Sequence, residues 1–298
     1  MIVECVPNFS EGRDPVIVER IANAVTRAGA VLLDKTTDPD HNRSVLTFVG
    51  STKSILDAAF ETVRAAVELI DITRHSGVHP RLGAADVVPF VPIEGITLNQ
   101  CAEVAGQLAN RLWSELRLPA YLYEAAAHRP ECRRLENVRR LAPSGLKPDV
   151  GEGCHPTAGV CVVGARKFLI AWNVILLSSN LAAAKAIARE IRESSGGLPA
   201  VKALGLPLPS RDRVQVSMNL VDFEITPLHI AFDAVADSCR RLGIEIEGSE
   251  LIGMIPAAAL EASRGHDLCW LNFRPELIVE NRLRDLDSKT NTSPLSAS

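Results

Sequence analysis

At 298 residues the chain is long enough for one large or two modest domains around a substantial core. Its content of 47% hydrophobic and 23% charged residues is that of a globular protein, and 32 basic against 36 acidic residues give a net charge of −4, which argues against nucleic acid or an anionic membrane surface as partner. No apolar run approaches the roughly 20 residues needed to span a bilayer, Met1–Pro7 lacks the regions of a secretory leader, and seven irregularly spaced cysteines read as reduced thiols, so a cytoplasmic location is expected.

Taken in chain order, Ile2–Val6 reads as a short strand ending at Pro7. A helix follows over Asp14–Ala28, with Asp14 as N-cap, Pro15 in its first position and Gly29 as stop. Val31–Asp34 and Ser44–Val49 are strands, Ser54–Ile70 is an amphipathic helix, and Asp86–Ile93 is a strand. The pattern then repeats. Phe168–Leu177 is a strand, Leu181–Ser194 a helix, Val201–Leu206 and Val214–Val221 strands, Leu228–Leu242 a helix and Ile244–Ile255 extended. Two successive βαββαβ runs predict an α+β protein of two ferredoxin-like subdomains meeting across a cleft, with helices inserted between about Leu98 and Arg140. The expected division is 1–173 and 174–282, with a polar tail, 283–298, expected to be disordered.

Three polar segments interrupt the apolar elements of the first half. Val6–Arg13 holds Asn8 and Ser10, standard turn residues whose spacing alone favours an ordinary turn over a ligand contact, although loops at strand ends are where ligands are usually met. Asp38–Arg43 places Asp40, His41 and Arg43 together, suited to binding a zwitterionic substrate or to moving protons, with Asp40 and His41 as catalytic candidates, or else to a solvated hairpin. Arg74–Asp86 carries His75, His79 and Arg81. The two histidines have the spacing of a zinc helix, but Gly77 and Pro80 oppose a helix and Ser76 stands where a zincin glutamate belongs, so no metal site is expected. A histidine on a Gly-rich loop suits a general base, whereas a helix C-cap accounts for His75. A fourth segment, Gly151-Glu152-Gly153-Cys154-His155-Pro156-Thr157-Ala158-Gly159, has Pro156 where a dinucleotide fingerprint needs its third glycine, leaving a permissive backbone that can approach a flat ligand.

These segments in this order resemble glutamate formiminotransferases: Val3–Gly12, Asn42-Arg43, Arg74-His75 and His79-Pro80-Arg81-Leu82-Gly83-Ala84, then Gly164–Ala171 and Val221-Asp222-Phe223. The resemblance runs from residue 1 to about 282 and is looser in the second half. It implies two ferredoxin-like subdomains, a homodimer, a folate-binding tunnel, and transfer of a formimidoyl group from N-formimidoyl-L-glutamate to N5 of tetrahydrofolate in histidine degradation. By the motif, His79 takes the place of the general base and Gly151–Gly159 that of the folate-contacting segment. This segment is one residue shorter than in the animal enzymes and brings no aromatic surface for the pterin at this point. Asp38 and Asp40 are both candidates for the acidic position before Asn42-Arg43.

A single imidazole suits this chemistry, because the attacking amine must lose a proton and the departing glutamate amine must gain one. Alignment of two substrates supplies the rest and needs no metal. Both substrates carry carboxylates, for which Arg43 and Arg81 are placed. The run Arg129, Arg133, Arg134, Arg139, Arg140 and Lys147 reads either as a clamp for the glutamate tail of folate or as a solvated helix face. Formyl transfer between 5-formyltetrahydrofolate and glutamate, or folate binding without catalysis, are the competing readings.

Overall fold

The computed structural model describes residues 1–77 and 81–291, side chains of 286–291 aside. The chain divides into two compact units, Met1–Lys167 and Phe168–Ser298. Asn173, where the sequence suggested a boundary, instead lies within a central strand of the second unit, paired with Ser217 and Glu250.

In the first unit β1 (Ile2–Cys5) and β2 (Asn8–Phe9) are two pieces of one line, interrupted at Val6-Pro7. Helix α1 (Pro15–Arg27) starts where expected, because Asp14 accepts hydrogen bonds from the Val16 and Ile17 amides and Pro15 lacks the amide that would go unpaired. The strands β3 (Val31–Asp38) and β4 (Arg43–Gly50) form a hairpin, followed by α2 (Thr52–Leu69), capped by Ser51, and β5 (Ala85–Glu94). The sheet order β3, β4, β1/β2, β5 is antiparallel throughout and is that of a ferredoxin-like unit.

The inserted stretch is not all helical. Helix α3 (Leu98–Leu116) begins with a Thr97–Gln100 capping box, but β6 (Ala120–Glu124) follows before α4 (Leu135–Leu141). With β7 (Cys161–Ala165) it extends the sheet in parallel beyond β5, in the order β5, β7, β6. One face of this extension joins the main core with α1, α2 and α3. The other buries Val87, Tyr121, Tyr123 and Val162 under Cys132 and Val138, so the segment around α4 covers that face.

The second unit repeats the plan with β8 (Ile170–Leu176), α5 (Leu181–Ile191), β9 (Val201–Leu208), β10 (Arg213–Leu220), α6 (Leu228–Leu242) and β11 (Ile246–Ile252), ordered β11, β8, β10, β9. Alternate residues Val214, Val216, Met218 and Leu220 face the core, where Trp172 lies 5.8 Å from Phe232 and 5.3 Å from Trp270 between ring centroids. Helices α7 (Ala257–Glu261) and α8 (Val279–Asn291) follow, so helix continues past Leu283 to Asn291. The fold is the α+β, doubly ferredoxin-like one that the strand and helix pattern predicts.

Candidate active site

The three polar segments of the first unit converge. The four-residue turn Pro39–Asn42 joins β3 to β4, and Asn42 occupies the left-handed region at φ 49°, which its short side chain tolerates. Asn42 ties the other two segments to this turn: its Oδ1 accepts from the Gly12 amide at 3.0 Å, and its Nδ2 donates to the Ser76 carbonyl at 3.0 Å. Gly12 is required here, since a Cβ would stand 2.4 Å from the Asp38 carbonyl and 2.5 Å from the Arg43 amide. Ser10 completes the joint, its amide donating to Ala84 and its hydroxyl to Gly83, both at 2.8 Å.

Three arginine and aspartate side chains lie within this frame. Arg43 donates from Nε and Nη2 to Asn8 Oδ1, at 3.0 and 2.7 Å. Arg81 Nη2 donates to the His41 carbonyl at 2.9 Å. Asp86, 2% exposed, accepts from the Leu82 amide at 2.7 Å and from Arg139 Nη2 at 2.6 Å, with Arg43 Nη1 at 3.6 Å. Burial pushes the Arg43 guanidinium down to about 10 against the opposing pull of Asp86, and the nearby Arg139 and Arg81 add to the lowering.

Of the two candidate carboxylates, Asp38 holds His41. Its Oδ2 meets His41 Nδ1, and its Oδ1 accepts from the His41 amide at 2.9 Å. Asp40 is half-buried on the same turn. Burial raises the Asp38 carboxyl, but the hydrogen bonds from His41 outweigh it and leave it below its ordinary value. With a depressed folded pKa, Asp38 contributes stability that is present above its unfolded value, near 4, and is lost as pH falls through the folded value. Melting temperatures of Asp38→Asn and the parent should therefore converge as pH is lowered from 7 towards 3. A gap that stays constant over that range would mean that the pair adds no ionic stability.

His75 caps the short turn Ile72–Arg74, as its sequence position suggests, and its ring lies between the Asn42 side chain and carbonyl. Burial pushes its pKa below the ordinary value, against the hydrogen bond to the Asn42 carbonyl, which favours the charged ring. His79 lies outside the described residues.

The Gly151–Gly159 segment packs against the residues that flank His79. Ile72 donates its amide to the Thr157 carbonyl, and Ala84 to that of Ala158, both at 2.9 Å; Val160 donates to Leu82 at 3.1 Å. His155 closes the turn by accepting the Ala158 amide on Nδ1 at 3.0 Å, while Glu152, Gly153, Cys154, Pro156 and Thr157 are exposed and Ala158 and Gly159 buried. An aromatic ring does flank the segment: a Cβ on Gly151 would stand 2.5 Å from the Trp113 indole, so backbone and ring are in direct contact. Trp113 comes from α3, too far along the chain for the local motif to reveal it.

The basic run divides. Arg129 binds Asp149 and Arg139 binds Asp86, whereas Arg133, Arg134, Arg140 and Lys147 are exposed. A solvated face therefore describes Arg133, Arg134, Arg140 and Lys147 but not Arg129 and Arg139. Among the described residues no group of three or more His, Cys, Asp or Glu side chains is arranged for a metal ion, and no helix is long and apolar enough to cross a membrane.

With this geometry in hand, comparison with known proteins is direct. The formiminotransferase domain, N-terminal subdomain, matches residues 2–166, and the formiminotransferase domain matches residues 171–268, so the two matches meet at the division between the units. A glutamate formimidoyltransferase of Streptococcus pyogenes is 46% identical over 87% of this chain and 90% of its own length. One of Thermoplasma acidophilum is 43% identical over 87% and 89%. The formimidoyltransferase-cyclodeaminase of Sus scrofa is 41% identical over 87% of this chain, but only 51% of its own length is covered. Two family matches over most of the chain, on a doubled ferredoxin-like fold with a convergent polar cluster, show that the chain belongs to the formiminotransferase family.

Proposed function

We propose that the chain transfers the formimidoyl group of N-formimidoyl-L-glutamate to N5 of tetrahydrofolate, releasing 5-formimidoyltetrahydrofolate and L-glutamate. The observation that carries this reading is the convergence of Asn8, Asn42, Arg43, Arg81 and Asp86 around the segment that contains His79. In the donor, the α-carboxylate is bonded to the carbon that bears the reacting nitrogen. In folate, the carboxylates lie beyond the methylene bridge and the aminobenzoyl ring, far from N5. Arginines fixed beside the His79 segment therefore suit the donor's carboxylate and not the folate tail.

His79 is the general base, taking the proton from N5 and returning one to the departing amine. Tetrahydrofolate serves as co-substrate, and the step needs no metal. The residues of Gly151–Gly159 fit a flat ligand, with a permissive backbone at Gly151 and Gly153 and the Trp113 indole beside them. The reaction belongs to histidine degradation and one-carbon metabolism in the cytoplasm, in a homodimer.

The test is direct. The purified chain is incubated with N-formimidoyl-L-glutamate and tetrahydrofolate, and 5-formimidoyltetrahydrofolate is followed by mass spectrometry. A parallel reaction holds 5-formyltetrahydrofolate and glutamate. Product in the first supports the reading; product in only the second moves the function to formyl transfer; no product in either sinks both.

A further inference from the structure

Two histidines of the second unit lie face to face. His229 is in the first turn of α6 and His266 follows α7, with ring centroids 4.1 Å apart and planes 21° from parallel. Ser263, which is buried, ties them together. Its carbonyl accepts from the His266 amide at 3.3 Å, and its Oγ accepts from the His229 amide at 3.2 Å and lies 3.1 Å from His229 Nδ1. Among the described residues no protein group bonds to His229 Nε2 or to either ring nitrogen of His266. His229 is half-buried and His266 exposed.

Neutral imidazole is a good ligand for divalent transition metals and a poor one for Mg²⁺, which takes oxygen. A hydroxyl oxygen has two lone pairs, so Ser263 Oγ can accept His229 Nδ1–H as well as the amide, which leaves the lone pair of Nε2 for a metal. Two metal–nitrogen bonds of about 2.0–2.1 Å at a tetrahedral angle place their nitrogens roughly 3.4 Å apart. Rings stacked at 4.1 Å reach that spacing by a small tilt, and the His266 ring, which no hydrogen bond holds, can present either nitrogen. The positive end of α6 opposes a cation; Asp233, one turn along α6, and Asp267, next to His266 in the chain, are exposed carboxylates that offset it. Two protein ligands leave the other positions to water, in keeping with the lack of a three-residue metal cluster among the described residues.

We propose that His229 and His266 form a two-histidine site for a divalent, nitrogen-preferring cation such as Zn²⁺, with Ser263 fixing the tautomer of His229. The site belongs to the second unit and takes no part in the formimidoyl transfer proposed above, so neither inference depends on the other.

Zn²⁺ and Mg²⁺ are titrated by calorimetry into the full chain carrying Cys154→Ser and Cys269→Ser, which removes the two exposed thiols as competing ligands. Zn²⁺ should bind and Mg²⁺ should not. In this background His229→Ala and His266→Ala should each weaken Zn²⁺ binding by about tenfold or more. Ser263→Ala should weaken it by about tenfold, the usual effect of losing the partner that orients a ligating histidine. With Cu²⁺, electron paramagnetic resonance should show two nitrogen ligands in the background chain and one in His266→Ala. Because His266 is exposed, its truncation should leave the fold intact, and this variant carries the test if His229→Ala does not fold. No Zn²⁺ binding, Zn²⁺ binding unchanged in His266→Ala, or an unchanged nitrogen count in the copper spectrum would overturn the proposal. Equal affinity for Mg²⁺ would also overturn it, because it marks an oxygen site.

Discussion

Replacing His79 by alanine should lower turnover by about 10²–10⁴-fold, the usual contribution of a positioned general base. The expectation combines the resemblance of His79-Pro80-Arg81-Leu82-Gly83-Ala84 to the family motif with the way the described residues hold both flanks of that motif. On one side the Ser76 carbonyl accepts from Asn42, and a Cβ on Gly77 would lie 2.3 Å from the His41 carbonyl, so this flank is pressed onto the turn carrying Asp38 and His41. On the other, Arg81 donates to the His41 carbonyl and the Leu82 amide to Asp86. Both described flanks of the motif are thus tied to the same turn. The measurement is kcat/KM against pH for the parent and the variant. The parent should lose activity as falling pH protonates the imidazole, and the residual activity of the variant should lack that inflection. Full turnover in the variant would remove His79 from the mechanism without touching the family assignment.

Much of the fold was legible because local cues agreed with one another. Asp14 and Pro15 before an apolar stripe, and Gly29 after it, fix α1 to within a residue, since each satisfies a specific backbone need. Strand alternation located β4, β8 and β10 in the same way. Strand β6 went unseen because Ala120, Tyr121, Leu122 and Tyr123 are all buried, one face under α3 and the other under the α4 segment. A short run buried on both sides carries no period, and helices on either flank made helix the natural reading.

The site was legible as segments but not as contacts. Arg43 meets Asn8, Arg81 meets the His41 carbonyl, and the Gly151–Gly159 stretch meets Ile72, Leu82 and Ala84, and each of these segments had been singled out in the sequence. What holds them is another matter. Asp86 had read as the first residue of a strand and Arg139 as one charge in a basic run; their bond spans 53 residues and no spacing rule links them. Trp113 was not singled out in the sequence, though it lies against Gly151. Motifs mark where chain chemistry is unusual, whereas a buried ion pair or a ring on a glycine exists only once tertiary packing has formed.

The second large effect is expected from Gly83→Ala. Gly83 and Gly159 form an antiparallel bridge where the His79 segment meets the candidate folate segment. A Cβ on Gly83 would stand 2.0 Å from the Val160 carbonyl oxygen and 2.8 Å from that of Ala158, and both are backbone atoms that no rotamer change can move aside. Relief requires the two segments to part, lengthening the Ala84–Ala158 and Val160–Leu82 hydrogen bonds that now measure 2.9 and 3.1 Å. Overpacking of this kind costs about 3 kcal/mol or more, which for a chain of this size lowers Tm by about 6–12 °C. Gly153→Ala is the comparison: Gly153 also has a positive φ, 68°, but nothing lies within 4 Å of its Cβ position. Only backbone strain of about 1 kcal/mol applies there. Movement at Gly83 also displaces Leu82, and through its amide the Asp86 carboxylate that stands between Arg43 and Arg139. Gly83→Ala should therefore raise the KM for both substrates even well below its own melting temperature, because it disturbs the folate segment and the arginine cluster together. A Gly83→Ala chain with parental Tm and parental KM values would show that the two segments have room to separate, and that their contact does not couple the two halves of the site.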